Sequence, residues 1–143
     1  MKKILKTIWI PVVLILIIIA IPFIRSNKAM KEYYEGPEAL EWLKKNKNPY
    51  PFASNHFASP QAAIDFVEKL YSEGAEIVKI PEKCIQTEGE EGGPYADSLI
   101  VKLPIDKDKR KNILNLCNNE LDPEFQGNLE KDIRDNMIFL WWD

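Results

Sequence analysis

His56 is the only histidine of the 143-residue chain, and serines lie on both sides of it. One interpretation is nucleophilic catalysis, with Ser54 or Ser59 as the nucleophile, His56 as the base and Asp97 as the acid that orients the imidazole. Neither serine has the glycine pattern of a nucleophile elbow. A single histidine just before a helix cap more often serves as a structural hydrogen-bonding group. The sequence therefore predicts no catalytic residue and keeps a hydrolase that uses His56 as an alternative.

Cys84 and Cys117 are the only two cysteines. Outside the cytoplasm they could form a disulfide. Cys117 also lies on the apolar face of a predicted helix, a position that suits a buried free thiol equally well. Two isolated thiols and one histidine lack the paired ligand spacing of a zinc site. We therefore predict no metal and no cofactor at these residues.

A run of glutamate and glycine at 88–93 is the remaining candidate for cation binding. It lacks the alternating Asp or Asn ligands and the final Glu of an EF-hand loop, and Asp106 with Asp108 fails the same test. We interpret 88–93 as a solvated acidic loop between two strands.

Two adjacent tryptophans, Trp141 and Trp142, stand at the end of the sequence. Neighbouring residues in a strand point to opposite faces, so one tryptophan should enter the core. The other should face solvent, another element or a partner, since interfaces are enriched in tryptophan. Packing beneath a helix that carries Trp42 is an equally good alternative. Both tryptophans are the predicted candidates for contact with a partner.

The elements that position these residues are predicted from hydrophobic periodicity. Apolar stripes, caps and breakers predict three helices: one from Pro37 to near Asn46, one capped by Ser59 and ended by Gly74, and one from Lys107 to about Asn119 capped by Asp106. Runs of β-branched and aromatic residues predict strands at 75–80, 98–103 and 137–142. If Phe52–Phe57 is also extended, although Ser54 and Asn55 interrupt it, it adds a first strand before the second helix. This order predicts an α+β domain of the ferredoxin-like (split βαβ) type, with the helices on one face of an antiparallel sheet.

The first two dozen residues predict a single transmembrane helix. An apolar run of 18 residues from Thr7 to Ile24 has three basic residues on each side. At about 1.5 Å per residue the run is about 27 Å long, close to the ~30 Å hydrocarbon core of a bilayer. It lacks the small residues of a signal-peptidase site, which favours a retained anchor over a cleaved signal peptide.

The chain therefore divides into a transmembrane anchor at 1–24, a tether at 25–36 and an acidic α+β domain at 37–143. Basic residues flank both ends of the anchor, but the amino group adds charge on the first side and two glutamates dilute the second. This favours a single-pass protein of the cell membrane with its domain outside the cytoplasm.

The charge is divided unevenly along the chain. Residues 1–31 carry six basic and no acidic side chains, whereas 32–143 carry 13 basic and 22 acidic ones, a net charge of −9. Such a domain is repelled by nucleic-acid phosphates and by anionic headgroups. We expect no nucleic-acid binding and no domain lying flat on lipid. The acidity fits a basic protein partner, or it keeps the domain soluble.

One resemblance rests on a strand and on the end of the chain. The segment Gly93-Pro-Tyr-Ala-Asp-Ser-Leu-Ile-Val-Lys-Leu-Pro104, with Arg110 after it and Trp141-Trp142-Asp143 at the close, resembles a group of small uncharacterised bacterial proteins. It covers roughly Ser54 to Asp143. The resemblance implies a small α+β domain and carries over no activity and no site residue.

These observations lead to one main hypothesis and two alternatives. The main hypothesis is a bitopic membrane protein that presents a small acidic binding or regulatory domain. The alternatives are a membrane-tethered hydrolase that uses His56 and an immunity-type protein whose acidic domain neutralises a basic toxin. A binding domain should tolerate replacement of His56, and salt-sensitive capture of a basic partner would favour the immunity-type protein.

Overall fold

The computed structural model of the protein describes residues 35–87, 92–121 and 136–142. These residues form three helices, α1 (Ala39–Lys45), α2 (Pro60–Ser72) and α3 (Lys107–Asn119). The described strands are β1 (Ile77–Lys79), β2 (Ile85–Gln86), β3 (Tyr95–Ala96), β4 (Ser98–Lys102) and β5 (Met137–Trp141). The predicted α+β class is confirmed.

Helix α2 begins and ends at the predicted signals. The Ser59 hydroxyl accepts a hydrogen bond from the Ala62 amide at 3.2 Å, and Pro60 occupies the first helical position. After the helix, Gly74 has a φ of 100°, which a residue without a Cβ adopts at little steric cost. The predicted stripe is buried and consists of Ala63, Phe66, Val67 and Leu70.

The predicted bounds of α3 are confirmed as well. The Asp106 carboxylate accepts hydrogen bonds from the Asp108 and Lys109 amides at 3.0 and 2.9 Å, so it caps the first turn. Ile113 and Cys117 are buried on the inner face. Helix α1 is slightly shorter than predicted, because Glu38 is its N-cap and its carboxylate accepts from the Glu41 amide.

The main sheet of the described residues has the strand order β1-β4-β5, and both pairings are antiparallel. Val78, Val101 and Ile138 are aligned across the three strands on the face that meets the helices. They belong to one core that also includes Leu43, Val67 and Ile113 from the three helices. Strands β2 and β3 form a separate two-stranded pair, with Ile85 opposite Ala96.

The predicted strand at Phe52–Phe57 is wrong. Phe52 forms one isolated bridge to Ala96, and the chain then turns through a 3₁₀ segment at Ala53–Asn55. Ser54 and Asn55 have φ angles of 56° and 51°, which an extended strand excludes. The turn brings the Phe52 and Phe57 rings together in the core, with their centroids 5.3 Å apart.

The ferredoxin-like arrangement is not confirmed by the described residues. In a split βαβ unit the strands before and after a crossover helix run parallel, with another strand between them. Here β5 pairs directly with β4 and runs antiparallel to it, from Ser98 opposite Trp141 to Lys102 opposite Met137. The last strand is therefore the antiparallel neighbour of β4 and occupies an edge of the described sheet.

The predicted transmembrane anchor at 1–24 and the acidic residues 88–91 lie outside the described residues. Among helices α1, α2 and α3, none is long and apolar enough to cross a bilayer.

Candidate functional site

Trp142 lies at the centre of an aromatic cluster at the end of the described chain. Its ring centroid is 5.0 Å from that of Phe52 and 5.7 Å from that of Phe57, both in edge-to-face geometry. The His56 ring stacks on it at 4.8 Å with an interplanar angle of 26°. Phe57 extends the contacts to Phe66 of α2 at 5.4 Å. We call these five residues the Trp142 cluster. Only 4% of Trp142 is exposed, so its role is to hold the fold together.

Hydrogen bonds connect the Trp142 cluster to two further elements. The indole Nε1 of Trp142 donates to the backbone carbonyl of Glu120 at 3.1 Å, at the carboxy-terminal end of α3. The Trp142 amide donates to the Asp97 carbonyl at 2.8 Å, just before β4. The His56 Nε2 atom lies 3.2 Å from the Glu120 carboxylate. Strand, helix and 3₁₀ turn are thereby joined around one tryptophan.

The residues considered for catalysis have different partners and do not form a triad. His56 is paired with Glu120, and the Ser59 hydroxyl caps α2. Ser54 is exposed in the left-handed turn, and the Asp97 carboxylate accepts from the Ser98 hydroxyl. No hydrogen bond in the described ranges brings a serine, His56 and Asp97 together.

Trp141 faces away from the Trp142 cluster and is 39% exposed. It is the cross-strand partner of Ser98, so their side chains are neighbours on the same face of the sheet. Ser98 is fully buried, and its hydroxyl donates to the half-buried Asp97 carboxylate. Trp141 and Asp97 therefore flank one buried serine. We call Trp141, Ser98, Asp97 and Cys84 the Trp141 surface.

Cys84 joins this surface through interactions with Ser98 and Asp97. Partial burial and the negative charge of Asp97 raise the pKa of the Cys84 thiol, and the hydrogen bond with Ser98 offsets part of that rise. The thiol is therefore protonated near neutral pH, which makes it a weak donor instead of a nucleophile.

Cys117 lies on the buried face of α3, in the core. Burial, together with the Glu120 charge, raises the pKa of Cys117 to about 12. Cys84 and Cys117 are both free thiols in this structure, where the possible disulfide between them is not present. Within residues 35–87, 92–121 and 136–142, no three His, Cys, Asp or Glu side chains are grouped in a way that could hold a metal ion.

Neither a family model nor a curated protein nor a solved structure matches this chain. Its function is therefore inferred from the geometry of its own residues.

Sequence reasoning missed Glu120 and Ser98. Glu120 is the C-cap residue of α3 and contacts His56 and Trp142 from 64 and 22 positions away, which no local pattern indicates. Ser98 has a signal in the sequence, because it follows an aspartate at the start of a strand. Its link to Trp141 depends on the β4–β5 register.

Proposed function

We propose that this is a bitopic membrane protein, anchored by residues 1–24, that presents an acidic binding domain outside the cytoplasm. The apolar run and its basic flanks support the anchor. We propose further that the Trp141 surface binds a basic protein partner. The observation that carries this proposal is the exposed Trp141 opposite Ser98, whose hydroxyl donates to the Asp97 carboxylate.

The chemistry of the Trp141 surface suits a lysine or arginine side chain. The face of an indole attracts a cation, and a carboxylate accepts charge-assisted hydrogen bonds from the same group. Partly exposed tryptophans are frequent anchors of protein interfaces. The net charge of −9 on residues 32–143 would also increase the rate of encounter with a basic partner. An immunity-type protein is the case in which that partner is a basic toxin.

Crosslinking in cells tests the binding proposal. Full-length protein with a tag at its amino terminus is crosslinked, purified and analysed for basic proteins, alongside Trp141→Ala, Asp97→Asn and Gln61→Ala. Gln61 is exposed on α2, so Gln61→Ala is the matched control. We expect the first two variants to lose the captured basic protein and the control to retain it, with capture falling as salt rises. Equal capture by all variants would overturn the proposal.

Alkaline carbonate extraction and intact mass test the anchor. The full chain should stay with the membrane and keep its first 24 residues. Release from the membrane, or a mature amino terminus after Ala20, would overturn the anchor and leave the binding test unaffected.

A further inference from the structure

The half-buried Asp97 carboxylate has no cationic partner in the described part of the chain. Its side-chain donors are two neutral groups, the Ser98 hydroxyl and the Cys84 thiol. Neutral donors satisfy lone pairs and leave the negative charge in place, and a charge withdrawn from water is stabilised when a cation pairs with it. Four carboxylates of the same ranges do form ion pairs with lysines: Glu41, Glu68, Glu73 and Glu76. The charge of Asp97 is therefore available for a cation supplied by a partner.

The backbone fixes Asp97 at the start of β4. Its amide donates to the Cys84 carbonyl at 3.1 Å, and its carbonyl accepts from the Trp142 amide at 2.8 Å. Asp97 and Trp142 thus extend the β4–β5 register as a hydrogen-bonded pair. The next pair, Ser98 with Trp141, is then a non-hydrogen-bonded one, in which the side chains lie closer together. Because the fold already orders this carboxylate, binding does not have to order it.

The two neutral donors restrict how a cation can approach the carboxylate. The two oxygens together offer about four lone-pair sites. The Ser98 hydroxyl uses a site on Oδ1, and the Cys84 thiol uses another site of the carboxylate. A guanidinium binds best as a planar fork that engages both oxygens, whereas an ammonium is a point charge that needs one site. The occupied sites therefore obstruct the fork of arginine and leave room for the ammonium of lysine.

We propose that Asp97 recognises the ammonium group of a lysine side chain and discriminates against arginine. This inference rests on the proposed binding of a basic protein, and it names the group by which that protein is recognised. The lysine stem is apolar and packs along exposed apolar surface, which Trp141 supplies on this side of the sheet. Ser98 and Cys84 are positioning residues, because they act on the cation through Asp97.

Two dye-labelled peptides of equal length and charge test the preference, acetyl-tetralysine amide and acetyl-tetraarginine amide. Each is titrated with the full chain in a neutral detergent, and fluorescence anisotropy gives the two dissociation constants. We expect the lysine peptide to bind several-fold more tightly, and Asp97→Asn to remove that difference. Ser98→Ala vacates a site on Oδ1, so it should shift the ratio of the two constants toward arginine, which a purely structural role of Ser98 would not do. Gln61→Ala, exposed on α2, is the matched control and should keep the original ratio.

The outcomes separate this inference from the binding proposal. Equal affinities for the two peptides, or tighter binding of the arginine peptide, overturn lysine recognition and leave the capture of a basic protein intact. A preference for lysine that persists in Asp97→Asn belongs to another carboxylate and overturns the inference as well. So does the absence of binding by either peptide while Trp141 is still required for capture in cells. If no basic protein is captured in cells, the binding proposal and this inference are both overturned.

Discussion

Trp141 and Trp142 are adjacent in sequence and lie in opposite environments. Trp142 is 4% exposed and contacts three rings and two backbone carbonyls, whereas Trp141 is 39% exposed on the other face of the sheet. The alternation of side chains along β5 is sufficient to produce this difference. The comparison separates two roles for one residue type: the Trp142 cluster holds the fold, and the Trp141 surface is available for recognition.

Trp142→Ala should have the largest effect on stability. Truncation of a buried aromatic side chain costs about 3–5 kcal/mol, and here it also removes the indole donor to the Glu120 carbonyl. Chemical denaturation of the full chain measures the free energy of unfolding. Trp141→Ala is the matched control and should cost about 1 kcal/mol or less, the scale of one cross-strand pair. Similar costs for the two variants would contradict the comparison.

Phe66→Ala, which truncates the α2 residue of the Trp142 cluster, should also lower the stability. Phe66 is buried and contacts Phe57, so its truncation should cost about 3–5 kcal/mol or somewhat less if Phe57 moves into the space. Asp65→Ala, on the exposed face of α2, loses the hydrogen bond from Gln61 and should cost only a few tenths of a kcal/mol. Thermal melts of both variants compare them directly. A larger effect for Asp65→Ala would mean that the helix face is assigned wrongly.

His56→Gln tests the rim of the same cluster. The substitution removes the ring stacked on Trp142 and should cost about 1 kcal/mol, while the protein stays folded and still captures its partner. Near-ultraviolet circular dichroism reports the change in the tryptophan environment. Glu120→Gln is the companion variant, because it keeps the backbone carbonyl that binds Trp142. If His56→Gln loses partner capture while its circular dichroism is unchanged, His56 would belong to the partner-binding site.

Thiol labelling compares the exposed surface with the core in the unmutated protein. Cys84 lies at the partly exposed Trp141 surface, whereas Cys117 is fully buried with its pKa raised to about 12. A maleimide at pH 8 should modify Cys84 slowly and Cys117 only after unfolding, since the thiolate is the reactive form. Mass spectrometry of peptides gives the two rates. Equal rates in the folded protein would show that the core around Cys117 opens readily.

Local signals predicted much of the fold. Ser59, Pro60 and Asp106 fixed the starts of α2 and α3, and β-branched runs located β1, β4 and β5, because caps and periodicity act within a few residues. The segment at Phe52–Phe57 misled the prediction. The left-handed Ser54 and Asn55 turn the chain there, so that both phenylalanine rings meet Trp142.

The site was less predictable because its contacts are distant in sequence. Opposite faces for the two tryptophans followed from the strand period, but which one is buried depends on the register of β5 with β4. The pairing of His56 with Glu120 depends on how the end of α3 meets the 3₁₀ turn.

Trp141→Ala separates recognition from stability when partner capture and the free energy of unfolding are both measured on one preparation of the full chain. We expect capture of the basic partner to be lost while the free energy of unfolding falls by about 1 kcal/mol or less. Capture that persists in the stable variant would contradict the proposal that the Trp141 surface is the binding site. A loss of stability as large as that of Trp142→Ala would contradict the division of roles between the two tryptophans.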